Sequence, residues 1–150
     1  MRILVTGASG LLGLNLALEA AAKGHSVTGV TNRNRLKTQE FECLTADLLE
    51  PGTLENLLEH TQPDWVIHCA ALANLEACET NPDLARELNT QVPRKLAEQC
   101  QKGGARLLHV STDAVFDGQT GGAVRRTAST GHSSAQKPQA IQARGSSRWG

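Results

Sequence analysis

Three glycines, each three residues from the next, follow the first apolar run of the chain, and this spacing constrains the fold more than any other feature. Ile3-Leu4-Val5 leads into Gly7-Ala8-Ser9-Gly10-Leu11-Leu12-Gly13. Gly7 permits a tight turn out of a strand, Gly10 lets backbone approach a pyrophosphate, and Gly13 lets the next helix pack closely. The free N–H groups at that helix's start favour an anion. The pattern predicts a dinucleotide-binding turn, with a ligand-free glycine turn as the alternative.

Predicted strands and helices alternate along the first 110 residues. The strands are Arg2–Thr6, Ser26–Thr31, Phe41–Thr45, Asp64–Ala70 and Ala105–Val110, and the helices are about Leu11–Lys23, Thr53–His60 and Asn81–Lys102, with Asn81 as the N-cap and Pro82 in the first turn. This alternation predicts an α/β fold, a Rossmann-type doubly wound parallel sheet truncated after the fifth strand. Right-handed crossovers would bring the carboxyl ends of strands one, two, four and five around one crevice.

The charge changes sign near residue 120. All 15 acidic residues but only ten of the 15 basic ones lie in residues 1–120, and the last thirty residues carry five basic residues and no acid. The last thirty also hold few large apolar residues, too few to offset an ordering entropy of about 1–2 kcal/mol per residue. We therefore expect an incomplete NAD(P)-binding domain over 1–120. Residues 121–150 are expected to be a basic tail, disordered or translated out of frame.

Several other classes of function lack a signal in the sequence. The four cysteines show no metal-ligand spacing, so thiols are expected and no metal site. No signal peptide and no run of eighteen apolar residues is present, which favours the cytoplasm and no membrane partner. The five basic residues of the tail are dispersed without interleaved aromatics, so no nucleic-acid partner is expected either.

The end of the second predicted strand bears on the choice of cofactor. It reads Thr31-Asn32-Arg33-Asn34-Arg35, and no acidic residue occurs before Glu40. A carboxylate at this position usually binds the ribose 2′-hydroxyl of NAD, whereas basic residues accommodate the 2′-phosphate of NADP. Asn32, Arg33 and Arg35 therefore favour NADP(H) over NAD(H). Two solvated loop arginines are the alternative interpretation.

Two separated motifs resemble those of a known family. Thr6–Gly13 is similar to the TGxxGxxG signature of extended short-chain dehydrogenases/reductases, and Val110–Gly118 resembles the STDYVFDG stretch of their dTDP-4-dehydrorhamnose reductase-like members. His68-Cys69-Ala70-Ala71 and Leu88-Asn89 match two stretches in between. The regulatory beta subunit of methionine adenosyltransferase carries a similar stretch. The resemblance covers about residues 1–120.

The resemblance implies roles for individual residues. Asp47 and Leu48 would flank the adenine, and Ala70, Ala71 and Leu72 would line the pyrophosphate and nicotinamide ribose. Further cofactor contacts are expected at Gly7, Ser9, Gly10, Leu11, Leu12, Gly13 and Asn89. Thr112, with Ser111 beside it, matches the family's catalytic hydroxyl. A capping or turn hydroxyl is the alternative for this pair.

The family's proton donor has no counterpart in this sequence. Its members pair the hydroxyl with a Tyr-x-x-x-Lys helix, but the chain contains no tyrosine, and its only lysine after Lys102 is Lys137. General acid catalysis contributes about 10²–10⁴-fold to a rate. We therefore expect the NADP-binding portion of a sugar-nucleotide reductase, without turnover by this chain.

Two other functional interpretations stay open. The chain could be a non-catalytic dinucleotide-binding regulatory subunit, or a truncated product that folds poorly. A frameshift near Gly121 or Gly122 is one origin for the tail, since codons for Gly122–Arg126 read one base later can encode Arg-Tyr-Ala-Glu. The expected partners are a dinucleotide and a nucleotide-sugar substrate, with either a second copy of the chain or a regulated partner enzyme.

Overall fold

The computed structural model describes residues 1–112. Met1–Val110 form one compact unit, and a second unit begins at Ser111. The predictions for residues 113–150, which include the remainder of the Val110–Gly118 motif, the boundary near residue 120 and the basic tail, lie outside the described residues.

Five parallel strands form one sheet in the order β3-β2-β1-β4-β5. The strands are β1 (Arg2–Thr6), β2 (Ser26–Thr31), β3 (Glu42–Thr45), β4 (Trp65–His68) and β5 (Arg106–His109). The helices are α1 (Leu11–Ala22), α2 (Thr53–Thr61), α3 (Leu75–Thr80), α4 (Pro82–Arg86) and α5 (Val92–Gly103), with a π-helical turn (Glu87–Gln91) between α4 and α5. The parallel order confirms the predicted doubly wound α/β fold.

Alternating residues of the strands pack against different helices. On one face, Leu4 and Val66 pack with the buried residues of α2 and α5, among them Leu54 and Leu96. On the other face, Ile3 and Val5 pack with Ala17 of α1 and with Val27 and Phe41. The sheet therefore has helices on both sides. In register, Thr6 is opposite Val30 of β2 and His68 of β4, which aligns the carboxyl ends of these strands.

The chain between β4 and β5 differs most from the prediction. The long predicted helix is interrupted by the π-helical turn, and the short helix α3 precedes it without having been predicted. Asn81 makes no side-chain cap, whereas Asn74 caps α3, its side chain accepting from Ala77 N at 2.8 Å. Pro82 lies in the first turn of α4 as predicted. A six-residue helix leaves only a short apolar pattern, which explains why periodicity did not reveal it.

The predicted strands β3, β4 and β5 are each too long at one or both ends. Phe41 lies just outside β3, and its side chain is buried against Gly29 of β2. After His68 the backbone leaves the β4 ladder and turns towards the glycine-rich segment, where Cys69 N donates to Thr6 O at 3.1 Å. Strand ends are set by such contacts between elements, which local sequence patterns do not record.

Candidate cofactor site

Two of the three glycines are required by the packing of this chain itself. Gly7 has a φ of +69°, and a Cβ there would lie 2.6 Å from Ala70 N. A Cβ on Gly13 would collide with Gly7 O and lie 2.9 Å from Gly7 C. Gly7 therefore allows the loop after β4 to approach, and Gly13 allows α1 to begin directly against the turn.

Gly10 differs from the other two glycines. Its backbone is extended, with a φ of −80°, and a Cβ there would lie 3.2 Å from Gly7 O, a tighter contact than most but without the severe overlap found at Gly7 and Gly13. No side chain of residues 1–112 caps α1, and its first backbone hydrogen bond runs from Leu14 N to Gly10 O at 2.9 Å. Leu11, which begins the helix, is 87% exposed. Gly10 and the helix start are thus exposed, and the first backbone N–H groups of α1 are available to an anion.

The glycine turn is held against β2 by backbone contacts. Ala8 N donates to Val30 O at 3.0 Å, and Gly10 N donates to Gly7 O at 2.9 Å. Ala8 is completely buried, and a Cβ on Gly29 would lie 2.9 Å from its methyl group. Gly29 was not among the predicted site residues, although a glycine inside a strand is a signal of close approach by other atoms.

The residues that favoured NADP directly follow β2. Asn32, Arg33 and Arg35 are exposed, and neither arginine forms an ion pair within residues 1–112. Because Val30 is opposite Thr6 and bonded to Ala8, the end of β2 lies beside the glycine turn. Two free guanidinium groups are thus available at the same edge of the sheet as the turn.

Asp47 and Leu48, the predicted adenine neighbours, have different environments. They follow β3. Just after this strand ends, Ala46 N donates to Thr31 O of β2 at 2.9 Å. Asp47 is exposed and its Oδ1 accepts from Leu49 N at 3.0 Å. The Leu48 side chain is buried in the core beside α2 and α5. The Leu48 side chain therefore contributes to packing.

The loop after β4 completes this edge. Ala70 lies against Gly7, Ala71 is exposed, and Leu72 is bonded to the side chain of Asn89. Ser9 of the glycine turn is partly exposed, Gly10, Leu11 and Leu12 are exposed, and Gly13 is buried. The structure therefore brings the predicted residues after β1, β2, β3 and β4 to one edge. Asn89 reaches that edge by binding the loop.

The buried residue His68 lies at the end of β4, next to the loop that completes this edge. Its structural role was not predicted. The His68 side chain is completely buried, its Nδ1 is 2.6 Å from Thr6 Oγ1, and its ring stacks on His109 at 5.2 Å. Its Nε2 has no hydrogen-bond partner among residues 1–112. Burial, with a smaller effect of His109, lowers the pKa of His68 to about 4. The imidazole is therefore neutral at pH 7. Its sequence signals were a polar residue at the end of an apolar strand and the family-like stretch His68-Cys69-Ala70-Ala71, and neither indicated its burial.

Ser111 and Thr112 are the remaining predicted residues. They directly follow β5, begin the second unit and are exposed. All four cysteines are free, and burial raises the pKa of the Cys69 and Cys100 thiols. No group of three or more potential metal ligands occurs within residues 1–112. In that same part of the chain, every helix is too short or too polar to cross a bilayer.

The chain is similar to two groups of curated proteins. The dTDP-4-dehydrorhamnose reductase of Mycobacterium tuberculosis is 38% identical over 125 residues, covering 83% of this chain and 37% of the relative. Methionine adenosyltransferase 2 subunit beta of Xenopus laevis is 38% identical over 117 residues, covering 78% of this chain and 34% of that subunit. The chain thus spans little more than a third of these relatives.

Solved structures share the fold. A hypothetical dTDP-4-dehydrorhamnose reductase from Sulfolobus tokodaii superposes with a TM-score of 0.73 at 31% identity, covering 84% of this chain and 44% of that one. The UDP-glucose 4-epimerase of Thermus thermophilus in complex with NAD gives a TM-score of 0.65 at 28% identity, covering 71% and 36% of the two chains. A family model described as the RmlD substrate binding domain matches residues 1–149. The chain belongs to this family, among the relatives of dTDP-4-dehydrorhamnose reductases and of the methionine adenosyltransferase beta subunit.

Proposed function

We propose that this chain binds NADP(H) at the glycine turn, as the cofactor-binding portion of a sugar-nucleotide reductase. The observation that carries the proposal is the exposed start of α1 beside Gly10, where Leu11 is 87% exposed and no side chain of residues 1–112 caps the helix. Packing accounts for Gly7 and Gly13 and contributes at Gly10, where a Cβ would lie 3.2 Å from Gly7 O, and the exposed backbone of Gly10 suits the close approach of a ligand. The NAD complex of the similar epimerase supports a dinucleotide as that ligand.

The residues present suit such a cofactor. Its pyrophosphate would be held by the backbone N–H groups at the start of α1, and its adenosine by the ends of β2 and β3. Ala71 is exposed beside the turn, and its small side chain leaves room for the nicotinamide half. When bound, the cofactor supplies a hydride for reduction of a carbonyl carbon.

The preference for NADP rests on the loop after β2. Arg33 and Arg35 are exposed and have no carboxylate partner within residues 1–112, so each is available to a 2′-phosphate. No acidic residue precedes Glu40 in this loop to bind a free 2′-hydroxyl in the way NAD enzymes do.

Turnover is a separate question from binding. Reduction needs a proton donor for the developing alkoxide, and the sequence holds no tyrosine to serve as one. Thr112 would orient the carbonyl oxygen but would not replace that donor. The proposal is therefore cofactor binding without measurable reduction by this chain. The free thiols fit the reducing cytoplasm that we propose as its compartment.

Titration of NADPH and NADH into the purified 150-residue chain tests the proposal. We expect NADPH to raise the unfolding temperature and to bind at least about tenfold more tightly than NADH, because only NADPH offers a 2′-phosphate to the arginines. The double variant Arg33→Ala/Arg35→Ala should remove this preference, while Lys95→Ala, which deletes one exposed charge on α5, should leave it intact.

The same titration tests dinucleotide binding and the preference for NADP separately. Equal affinities in the wild type would refute the NADP preference, and no stabilisation by either nucleotide would refute dinucleotide binding. An assay with dTDP-4-dehydrorhamnose and NADPH then addresses catalysis. Turnover above the uncatalysed rate would refute the stated need for a tyrosine.

A second candidate is a regulatory subunit. It is favoured by the 38% identity to methionine adenosyltransferase 2 subunit beta over 78% of this chain. Mixing the chain with a methionine adenosyltransferase catalytic subunit and measuring co-elution on size exclusion distinguishes the two. A stoichiometric complex supports the regulatory role, and elution of the chain alone, as a monomer or a homo-oligomer, rejects it.

A further inference from the structure

Asn89 forms a two-point contact with the backbone of the loop after β4. Its Oδ1 accepts from Leu72 N at 2.8 Å, and its Nδ2 donates to Leu72 O at 3.0 Å. The same carbonyl also accepts from Cys78 Sγ at 3.1 Å. Both hydrogen-bonding groups of the Leu72 backbone are thus satisfied by side chains from elsewhere in the chain.

The π-helical turn gives Asn89 its position. Asn89 is the middle residue of Glu87–Gln91, and the backbone stays helical through Arg86 and Val92 on either side. A π-helical turn widens a helix and rotates the residues after it by about 100° relative to an uninterrupted α-helix. Such turns are rare and occur often at functional sites, so an irregular helix that directs one amide to the cofactor loop calls for a functional explanation.

The other end of the loop is held by the glycine turn. Cys69 N donates to Thr6 O at 3.1 Å, and the Ala70 backbone lies so close to Gly7 that a Cβ would not fit between them. The three residues Ala70–Leu72 therefore span the distance between the glycine turn and Asn89. Ala71, between the two attachment points, is exposed.

We propose that Asn89 is a positioning residue for cofactor binding, acting through Leu72. Its side-chain oxygen and its side-chain nitrogen each bond the Leu72 backbone, which fixes the amide and the loop relative to one another. By fixing the loop before the cofactor arrives, it removes an ordering cost that binding would otherwise carry. This inference rests on the proposed function, and it adds the residue that keeps one wall of the site in place.

The substitution Asn89→Ala in the full chain tests it. Freeing about one loop residue corresponds to an affinity loss of about tenfold, so we expect the Kd for NADPH to rise by that factor. Amide hydrogen exchange at Leu72 should accelerate, because its N–H loses its acceptor. The unfolding temperature should change little, since the contact is exposed. Thr90→Ala is the matched control: the residue lies in the same π-helical turn, and its hydroxyl makes no hydrogen bond within residues 1–112.

The outcomes separate the inference from the function on which it rests. If the wild type binds NADPH and Asn89→Ala binds equally well despite faster exchange at Leu72, the positioning role is overturned. Equal losses of affinity in Asn89→Ala and Thr90→Ala also overturn it, because they would indicate a general effect of the turn. If the wild type binds no dinucleotide, the proposed function fails first and the inference fails with it. Asn89→Asp, which retains only the acceptor for Leu72 N, should bind with intermediate affinity.

Discussion

The sheet differs between its glycine-turn side and its β5 side. In β1, every residue from Ile3 to Thr6 is buried, and β2 is buried from Val27 to Thr31. In β5, by contrast, only Leu107 is partly buried among three exposed residues, and Leu108 is 46% exposed. Since α5 packs on one face of β5, the other face has no comparable cover within Met1–Val110. The glycine turn therefore rests on the two well-packed strands, β1 and β2.

Matched leucine truncations test this difference most strongly. Leu4→Ala removes a side chain that is 1% exposed, and we expect it to lower the free energy of unfolding by about 2–5 kcal/mol. Leu108→Ala removes a half-exposed side chain, so its effect should stay below about 1 kcal/mol. Urea unfolding of both variants measures the difference. Similar losses in the two variants would show that β5 is as well packed as β1.

A smaller effect of pH is expected through His68, which contacts both regions. It bonds Thr6 of β1 and stacks on His109 of β5. Its pKa is about 4 in the folded chain against an ordinary 6.5, so the unfolded chain binds the extra proton first as pH falls. Stability should be complete above pH 6.5 and decline towards pH 4, with a loss of about 2 kcal/mol between pH 7 and pH 5.

Urea unfolding at several pH values measures this loss of stability, and two variants test whether His68 causes it. His68→Gln should flatten the decline, whereas His60→Gln, on the exposed side of α2, should retain it. A wild type whose stability is constant from pH 7 to pH 5 would contradict a neutral, buried His68. An unchanged decline in His68→Gln would place its origin elsewhere.

The sequence predicted those parts of the structure whose signals lie within a few residues of one another. The bounds of β1 and β2 were predicted correctly and α1 to within one residue, because turn glycines and apolar alternation act within a few residues. The π-helical turn was missed because it is linked to a contact between Asn89 and Leu72, 17 residues apart. Leu48 was expected at the adenine but its side chain is in the core, which its position next to Asp47 did not reveal.

The candidate site follows the same rule. The glycine turn could be predicted because the positive φ of Gly7 and the contact of Gly13 with Gly7 are local to the motif, although the approach of Ala70 to Gly7 is not. The burial of His68 and the need for Gly29 depend on neighbours from other strands, and sequence order alone does not supply them. The preference of Arg33 and Arg35 for a 2′-phosphate and the role of Thr112 stay predictions.

The NADPH affinity of Gly10→Ala, compared with Gly13→Ala, tests the central claim most directly. Gly13→Ala forces a Cβ against Gly7 O and should destabilise the fold by about 1–3 kcal/mol. Gly10 has an ordinary backbone conformation, and a Cβ there would lie 3.2 Å from Gly7 O, so Gly10→Ala should change the free energy of unfolding by less than about 1 kcal/mol. If a dinucleotide lies against this exposed backbone, Gly10→Ala should nevertheless weaken NADPH binding at least about tenfold by calorimetry. A Gly10→Ala chain that folds normally and binds NADPH as tightly as the wild type would contradict the claim.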